Sequence, residues 1–256
     1  MSYTIDERNP ERQYLLAQVL NPATREVLAR LPRIPAANCL DLGSGQGNTT
    51  RCLADALQPA TCVGLEYDAA LADYAAAHPE NPPNVRFQQG DAAQLPFADG
   101  SFDIVFCRYL LIHIVDPLRV VREMMRVVRP GGFAVAYEAD FVMELSSPPC
   151  AALGHINRIW QGLFQNPSLG RNLVHYFREA GASEIQAGAV IQLEHDASVL
   201  KRVYRLTAEA TGALAESKGL LTADEVKEMI AGLIRMEEDP SAVLMKFPDM
   251  WVIARR

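Results

Sequence analysis

Two hydrophobic rhythms alternate along the first half of the chain. CLDLG, TCVGLEYD, VRFQQGD, FDIVFCRYLLIH and GGFAVAYEAD are short blocks rich in Val, Ile, Leu, Phe and Tyr, all within residues 39–140. Between most of them lie TTRCLADAL, AALADYAAA and PLRVVREMMRVV, whose apolar residues recur at helical spacing. Strands alternating with helices predict β-α-β units, and therefore a parallel sheet with right-handed crossovers. FDIVFC is almost wholly apolar, as a central strand covered on both faces must be. RVVRPGG ends its helix with basic residues, a proline and two glycines, which suits the negative end of the helix dipole and then a turn.

The flanks read differently. Residues 7–30 are helical in pattern but contain Pro22, which predicts two helices broken near Asn21-Pro22. Residues 141–169 mix turn formers with Phe141, Trp160 and Phe164. GRNLVHYFREAGA returns to helix and EIQAGAVIQLEHD reads as a strand. Residues 198–238 predict one or more amphipathic helices with a break near Gly219, and AVLMKFPDMWVIARR a last strand with Pro248 inside it or at its start. The organisation expected is a single domain over 1–256: an N-terminal helical cap (1–30), a ligand-binding core (38–140) and two insertions (141–169 and 198–240).

Charge narrows the function. With 24 Lys plus Arg against 31 Asp plus Glu, the net charge is −7, which argues against a nucleic-acid substrate. The amino-terminal MSYTIDERNP has no apolar signal core, and no apolar run approaches the ~18 residues of a membrane helix. Cys39, Cys62 and Cys107 fall in apolar blocks, and with Cys52 and Cys150 they form no C-x-x-C pair. Reduced thiols in a cytoplasmic protein are the expectation. The five histidines show no metal-ligand spacing, so no metal site is expected.

The chemistry concentrates in LDLGSGQGNTT, residues 40–50, where Gly43, Gly45 and Gly47 alternate directly after an apolar run. A tight strand-to-helix turn lets backbone amides and a helix start approach an electronegative ligand. This G-x-G-x-G loop is one residue tighter than the dinucleotide fingerprint, yet Glu66 follows Gly45 by 21 residues, where an acid can accept from both hydroxyls of a ribose. Asp91, just after the third strand, could reach an adenine amino group or instead cap the following turn.

LDLGSGQG, GLEYD, GDAAQLPFADGSFDIVFCRYLLIHIVDP and VVREMMRVVRPGGFAVAYEAD, in this order and spacing, resemble the class I S-adenosylmethionine-dependent methyltransferases, in particular a small-molecule branch similar to the quinone-biosynthesis C-methyltransferases. The resemblance is strong over residues 38–140 and looser over GRNLVHYFREAGA and VLMKFPDMWVIARR. It implies an α/β, Rossmann-like, doubly wound sheet of seven mostly parallel strands, the last antiparallel, with helical lid insertions. It also implies S-adenosyl-L-methionine as cofactor. Asp41 with Gly43, Gly45 and Gly47 would hold the methionine part, and Glu66 the ribose. Tyr67 would flank the adenine, and Asp91 with Ala92 would bind its edge. Cys107 and Arg108 would lie beside the methionine moiety, unless Arg108 is only a solvated strand-end charge. LLIHIVDP has Ile112 where the family often places a first histidine, so any role of that histidine is absent.

Methyl transfer from a sulfonium needs positioning and desolvation, and an oxygen or nitrogen acceptor must also lose a proton. His113, Glu138 and Asp140 stand near the carboxyl ends of strands, where such sheets bind ligands. An ordinary imidazole suits base work at neutral pH, so His113 is the candidate base. The alternative is a structural histidine held by Asp116 or backbone. Phe141, Met143, Trp160, Phe164, Tyr204 and Met236 in the insertions suggest a mid-sized, largely apolar small-molecule acceptor. Acceptor identity, acceptor atom and oligomeric state stay open. A second reading keeps the cofactor pocket for a non-methylating reaction or a binding role. NPPN at 81–84 superficially resembles an amino-methyltransferase motif, but it precedes the third strand instead of following the fourth. The nucleic-acid reading is set aside.

Overall fold

Each apolar block of the first half is a strand, and the helical stretches between them are helices. In the computed structural model, which describes residues 9–141, 144–195 and 199–256, the chain opens with helix α1 (Pro10–Leu28). It continues through β1 (Asn38–Leu42), α2 (Asn48–Leu57), β2 (Thr61–Glu66), α3 (Ala69–Ala76) and β3 (Val85–Gln89). A turn-rich link leads to β4 (Phe102–Arg108), then α4 (Pro117–Val127) and β5 (Val128–Ala139). The second half holds β6 (Leu145–Ser147), α5 (Ala151–Leu163), α6 (Leu173–Glu179), β7 (Glu184–Val190) and β8 (Leu193–Glu194). It ends with α7 (Val199–Ser217), α8 (Ala223–Glu238), β9 (Val243–Met245) and β10 (Asp249–Arg255).

Seven strands form the main sheet in the order β3-β2-β1-β4-β5-β10-β7, and only β10 runs antiparallel to its neighbours. The strand order reverses between β1 and β4, so their carboxyl ends open a crevice at the switch point, where this architecture binds ligands. Ile104 to Cys107 of β4 are buried on both faces, as its unbroken apolar run predicts. Among the described residues no helix is long and apolar enough to cross a membrane.

The expected break at Pro22 does not occur: α1 is one helix with Pro22 inside it. An interior proline costs about 3 kcal/mol, and tertiary contacts offset that here. Arg108 Nη1 donates to Asn21 Oδ1 and Thr24 Oγ1, both at 2.9 Å. Gln192 Nε2 donates to the Val19 carbonyl at 2.7 Å. Leu20, Ala23, Val27 and Leu28 are buried. Residues 141–169 carry more regular structure than their turn-rich composition suggests, namely β6 and α5. β6 pairs with β9, and β9 with β8, in a small antiparallel sheet beside the main one.

Candidate active site

One cavity spans the crevice and extends under the second-half helices. Its first half is built by the loop after β1. Gly43 (φ +69°) and Gly47 (φ +81°) adopt left-handed backbone, and a β-carbon would lie 2.9 Å from Leu110 Cδ1 at the first and 2.6 Å from Phe87 at the second. Only glycine tolerates both constraints. The Gly45 amide donates to Glu66 Oε2 (2.8 Å) and the Asp68 amide to Oε1 (3.0 Å). The glycine loop and the acid at the end of β2 are thus one hydrogen-bonded unit. Burial raises the Glu66 pKa, and these backbone amides oppose the shift.

Gly43, Gly45, Glu66, Tyr67, Ala92, Arg108 and His113 border the cavity. The other expected site residues stand behind its wall. Gly47 caps α2. Asp41 is buried and accepts from Thr50 Oγ1 at 2.6 Å; burial pushes its pKa up to about 7, against the Thr50 bond and the Arg108 charge. Asp91 accepts from the Ala93 amide at 2.8 Å through Oδ1, so its side chain caps the turn, between Gly90 and Ala92 of the cavity wall. Cys107 packs 4.0 Å from Met124 Sδ and 3.9 Å from Glu138 Oε1, and burial pushes its thiol well up. Arg108 spends one nitrogen on α1, as described above, and is no solvated strand-end charge. Two buried oxygens near the loop, Ser44 Oγ at the cavity and Asp41 Oδ1 behind it, have no hydrogen-bond partner among the described residues. A glycine cradle, an anchored carboxylate and spare buried oxygens fit a ligand rich in polar groups, as an adenosyl amino acid is.

The second half of the cavity is an aromatic chamber. Phe141 stacks on Phe164 at 4.8 Å and meets Phe247 edge-on at 4.6 Å. Trp160 meets Phe247 at 4.9 Å and Tyr204 at 5.3 Å. Four residues expected from the insertions therefore line it. Met236 is buried away from it, and Met143 lies outside the described residues.

Of the candidate proton acceptors, Asp140 and Glu138 do not line the cavity, although Glu138 Oε2 is buried with no hydrogen-bond partner among the described residues. Asp140 is buried and accepts from Arg171 Nε and the Arg171 amide, both at 2.9 Å. Glu138 accepts from the Leu110 and Leu111 amides at 3.0 and 2.9 Å. It fixes the turn after β4, whose first residue, Tyr109, has φ +55°, and burial pushes its carboxyl up to about 8. His113 remains. Its ring lies 5.0 Å from Phe164, and its Nδ1 is buried with no hydrogen-bond partner among the described residues. Asp116 accepts from the Arg119 amide at 3.1 Å to cap α4.

The imidazole is not the neutral-pH titrator its residue type suggests. Burial first, and the Arg12 charge second, push its pKa down to about 4. Its folded value lies below its unfolded value, so as pH falls the unfolded chain takes this proton first and stability is lost. Integrated over the window from about pH 6.5 to about pH 4, the loss is ~3 kcal/mol. The unfolding free-energy difference between the parent and His113→Gln should therefore be flat above pH 7 and move against the parent by that amount near pH 4. Urea melts at several pH values measure it, and a pH-independent difference would rule out the buried neutral imidazole.

Arg12, Lys246 and Phe247 also line the cavity and carry no motif. Arg12 Nε donates to Thr207 Oγ1 at 2.9 Å, joining α1 to α7. Lys246 lies in an apolar-looking tail segment whose importance only the tertiary fold reveals.

Residues 40–136 match the sequence profile of a family described as a methyltransferase domain. An uncharacterized methyltransferase, YcgJ of Bacillus subtilis, is 40% identical over 154 residues, 58% of this chain and 53% of that protein. A demethylmenaquinone methyltransferase of Lactococcus lactis is 34% identical over 118 residues, 45% of this chain and 47% of its own. The chain spans about half the length of the curated relatives it matches. In fold, the crystal structure of the Bacillus YcgJ protein matches with a TM-score of 0.60 at 22% identity, over 92% of this chain and 97% of that one. With the profile match, the switch-point crevice and the loop-plus-acid unit in one place, residues 40–136 of this chain are a methyltransferase domain.

Proposed function

We propose that the protein is an S-adenosylmethionine-dependent methyltransferase acting on a mid-sized, largely apolar small molecule. The observation that carries this is the continuity of one cavity from the Gly43–Glu66 unit to the aromatic chamber, since a transferred group must pass from one ligand to another at contact distance. Gly43, Gly45 and Glu66 would hold the sugar and amino-acid parts of the cofactor, with Tyr67 and Ala92 at the base. The bound cofactor supplies an electrophilic methyl group. The protein's own work is to orient the acceptor among Phe141, Trp160, Phe164 and Phe247, exclude water, and present His113 as a neutral hydrogen-bond acceptor. Nothing in this reading requires nucleic acid or a membrane, and a cytoplasmic site of action accords with it.

The protein should bind S-adenosylmethionine and S-adenosylhomocysteine but not NAD, whose pyrophosphate needs the looser fingerprint turn. Calorimetric heat from NAD alone would sink the assignment. Adenosyl binding with no methyl transfer to any of a panel of acceptors, followed with isotopically labelled methyl, would favour the non-methylating reading.

Phe141, Trp160 and Phe164, with Leu200, Val203 and Tyr204, line the cavity, and the segments that carry them, 141–169 and 198–240, would act as a lid that opens for the acceptor. Hydrogen exchange there should slow when S-adenosylhomocysteine and acceptor are both present. Equal exchange with and without ligands would count against a lid.

A further inference from the structure

The aromatic chamber has one strongly polar end, and it is built with care. Lys246, between β9 and β10, is 2% exposed, yet it lines the cavity. Its Nζ donates to Asp249 Oδ1 at 2.6 Å and to the Phe247 carbonyl at 3.2 Å. The nitrogen also sits 4.1 Å from the Phe247 ring centroid and 5.8 Å from that of Tyr109. Asp249 is completely buried and does not reach the cavity. The Tyr109 hydroxyl donates to its Oδ1 and the Tyr137 hydroxyl to its Oδ2 at 2.8 Å. Three donors on one carboxylate spread its charge, and Lys246 itself is among the residues that line the cavity.

Two of the three ammonium protons are thus engaged among the described residues. A single remaining donor suits a single oxygen, whereas a carboxylate is better met by a two-pronged fork such as guanidinium. The walls are aromatic rings in mutual contact, their centroids 4.6–5.3 Å apart, and exposed ring faces and edges suit an aromatic, hence planar, ligand. Resting on the reading of this chamber as the acceptor site, we propose that the acceptor is a planar phenol or enol bound as its anion, with the charged oxygen on Lys246 Nζ.

The surroundings of Lys246 support this charge assignment. Besides Asp249 from β10, Tyr109 from the turn after β4 and Tyr137 from β5, the groups that face it are Glu144, just before β6, and Tyr204 of α7. Burial pushes the Glu144 carboxyl up to about 8, against its contacts with Tyr204, Lys246 and Asn157. The same burial lowers the Lys246 pKa, and the Asp249 carboxylate, with Glu144, opposes that shift and favours the ammonium. His113, which also lines the chamber, is uncharged at neutral pH. Arg12 and Arg108, which also line the cavity, add to the preference for an anion.

The test uses 4-nitrophenol, whose anion absorbs visibly, with the full-length protein and saturating S-adenosylhomocysteine. Titrated in the bound state, the probe should lose its proton about 1 pH unit lower than in solution, the usual size of a nearby opposite charge's effect. Lys246→Met combined with Asp249→Asn removes both charges while leaving the two tyrosines an acceptor, and it should abolish the shift. The neutral ether 4-nitroanisole and the carboxylate 4-nitrobenzoate should both bind at least ten-fold more weakly than nitrophenolate. A bound probe that titrates as in solution, or tighter binding of the ether or the benzoate, overturns the proposal. If the double variant does not fold, the parent titration and the probe ranking still decide. Failure of the cofactor assignment is read separately, by calorimetry with S-adenosylhomocysteine in the absence of probe.

Discussion

Replacing Asp249 by alanine should lower the unfolding free energy by about 3–5 kcal/mol, the usual cost of removing one partner from a buried ion pair. The Lys246 ammonium would stay buried with the Phe247 carbonyl as its remaining hydrogen-bond acceptor among the described residues. The hydroxyl of the fully buried Tyr137 and that of Tyr109 would lose their acceptor too. An unpaired donor in such a place carries its own desolvation penalty. Lys246→Met together with Asp249→Asn should recover most of the loss, because removing both charges of a buried pair is often close to neutral. Urea melts of the parent, the single variant and the double variant measure this. A single-variant loss below about 1 kcal/mol would mean that water or relaxation satisfies the ammonium, and the network would not be the rigid floor of the chamber.

How much of this was legible in the sequence differs sharply between the two halves of the cavity. The loop after β1 and the acid ending β2 follow from local rules. Glycines at tight positive-φ turns leave a pattern, and so does a carboxylate one β-α-β unit further on. The seven strands, with the last one antiparallel, followed from the resemblance and are what the structure has. Local rules could not decide between a ligand contact and a turn cap for Asp91, nor which side of β4 Cys107 faces, because both depend on where neighbouring elements pack. The chamber was legible only as a set of large apolar residues. Its polar end joins Tyr109, Tyr137, Lys246 and Asp249 over separations of up to 140 residues, and no periodicity reports such a meeting. The continuous α1 shows the same limit from the other side. Pro22 obeys its local rule in isolation, but burial of the α1 face against α2 and α7 outweighs it.

His113 shows how a residue type can mislead about chemistry even when its place is right. The imidazole does border the cavity, but burial beside Arg12 takes its pKa to about 4. A base that weak stays unprotonated across the neutral range. Any acid limb in the pH–rate profile arising from it should lie near pH 4, not near 6.5, the value for a free side chain. Proton loss by the acceptor then depends more on the charge at the polar end of the chamber than on the strength of His113.

Glu66→Ala should weaken S-adenosylhomocysteine binding by roughly 1.5–3 kcal/mol, about 10- to 100-fold, the scale of hydrogen bonds to a charged group. The carboxylate accepts from the Gly45 and Asp68 amides, with a further backbone contribution from Tyr67, and these fix it at the cavity wall. There it would accept from the ribose hydroxyls. Alanine removes these bonds and also frees the Gly45 amide, so the loop itself should loosen. Glu66→Gln keeps one acceptor oxygen and should lose less than alanine. The pH dependence separates charge from shape. Burial raises the Glu66 pKa in the folded protein, so on acidification the parent should begin to lose affinity at a higher pH than an ordinary glutamate would. The hydroxyl donors favour the ionised form, and protonation removes it. The glutamine variant has nothing to titrate at this position, and its affinity should stay flat over the same range. Calorimetry with S-adenosylhomocysteine at several pH values reads both effects. Parent-like affinity in both variants would place the ribose elsewhere, and an acid-induced loss that persists in Glu66→Gln would assign the titration to a different group.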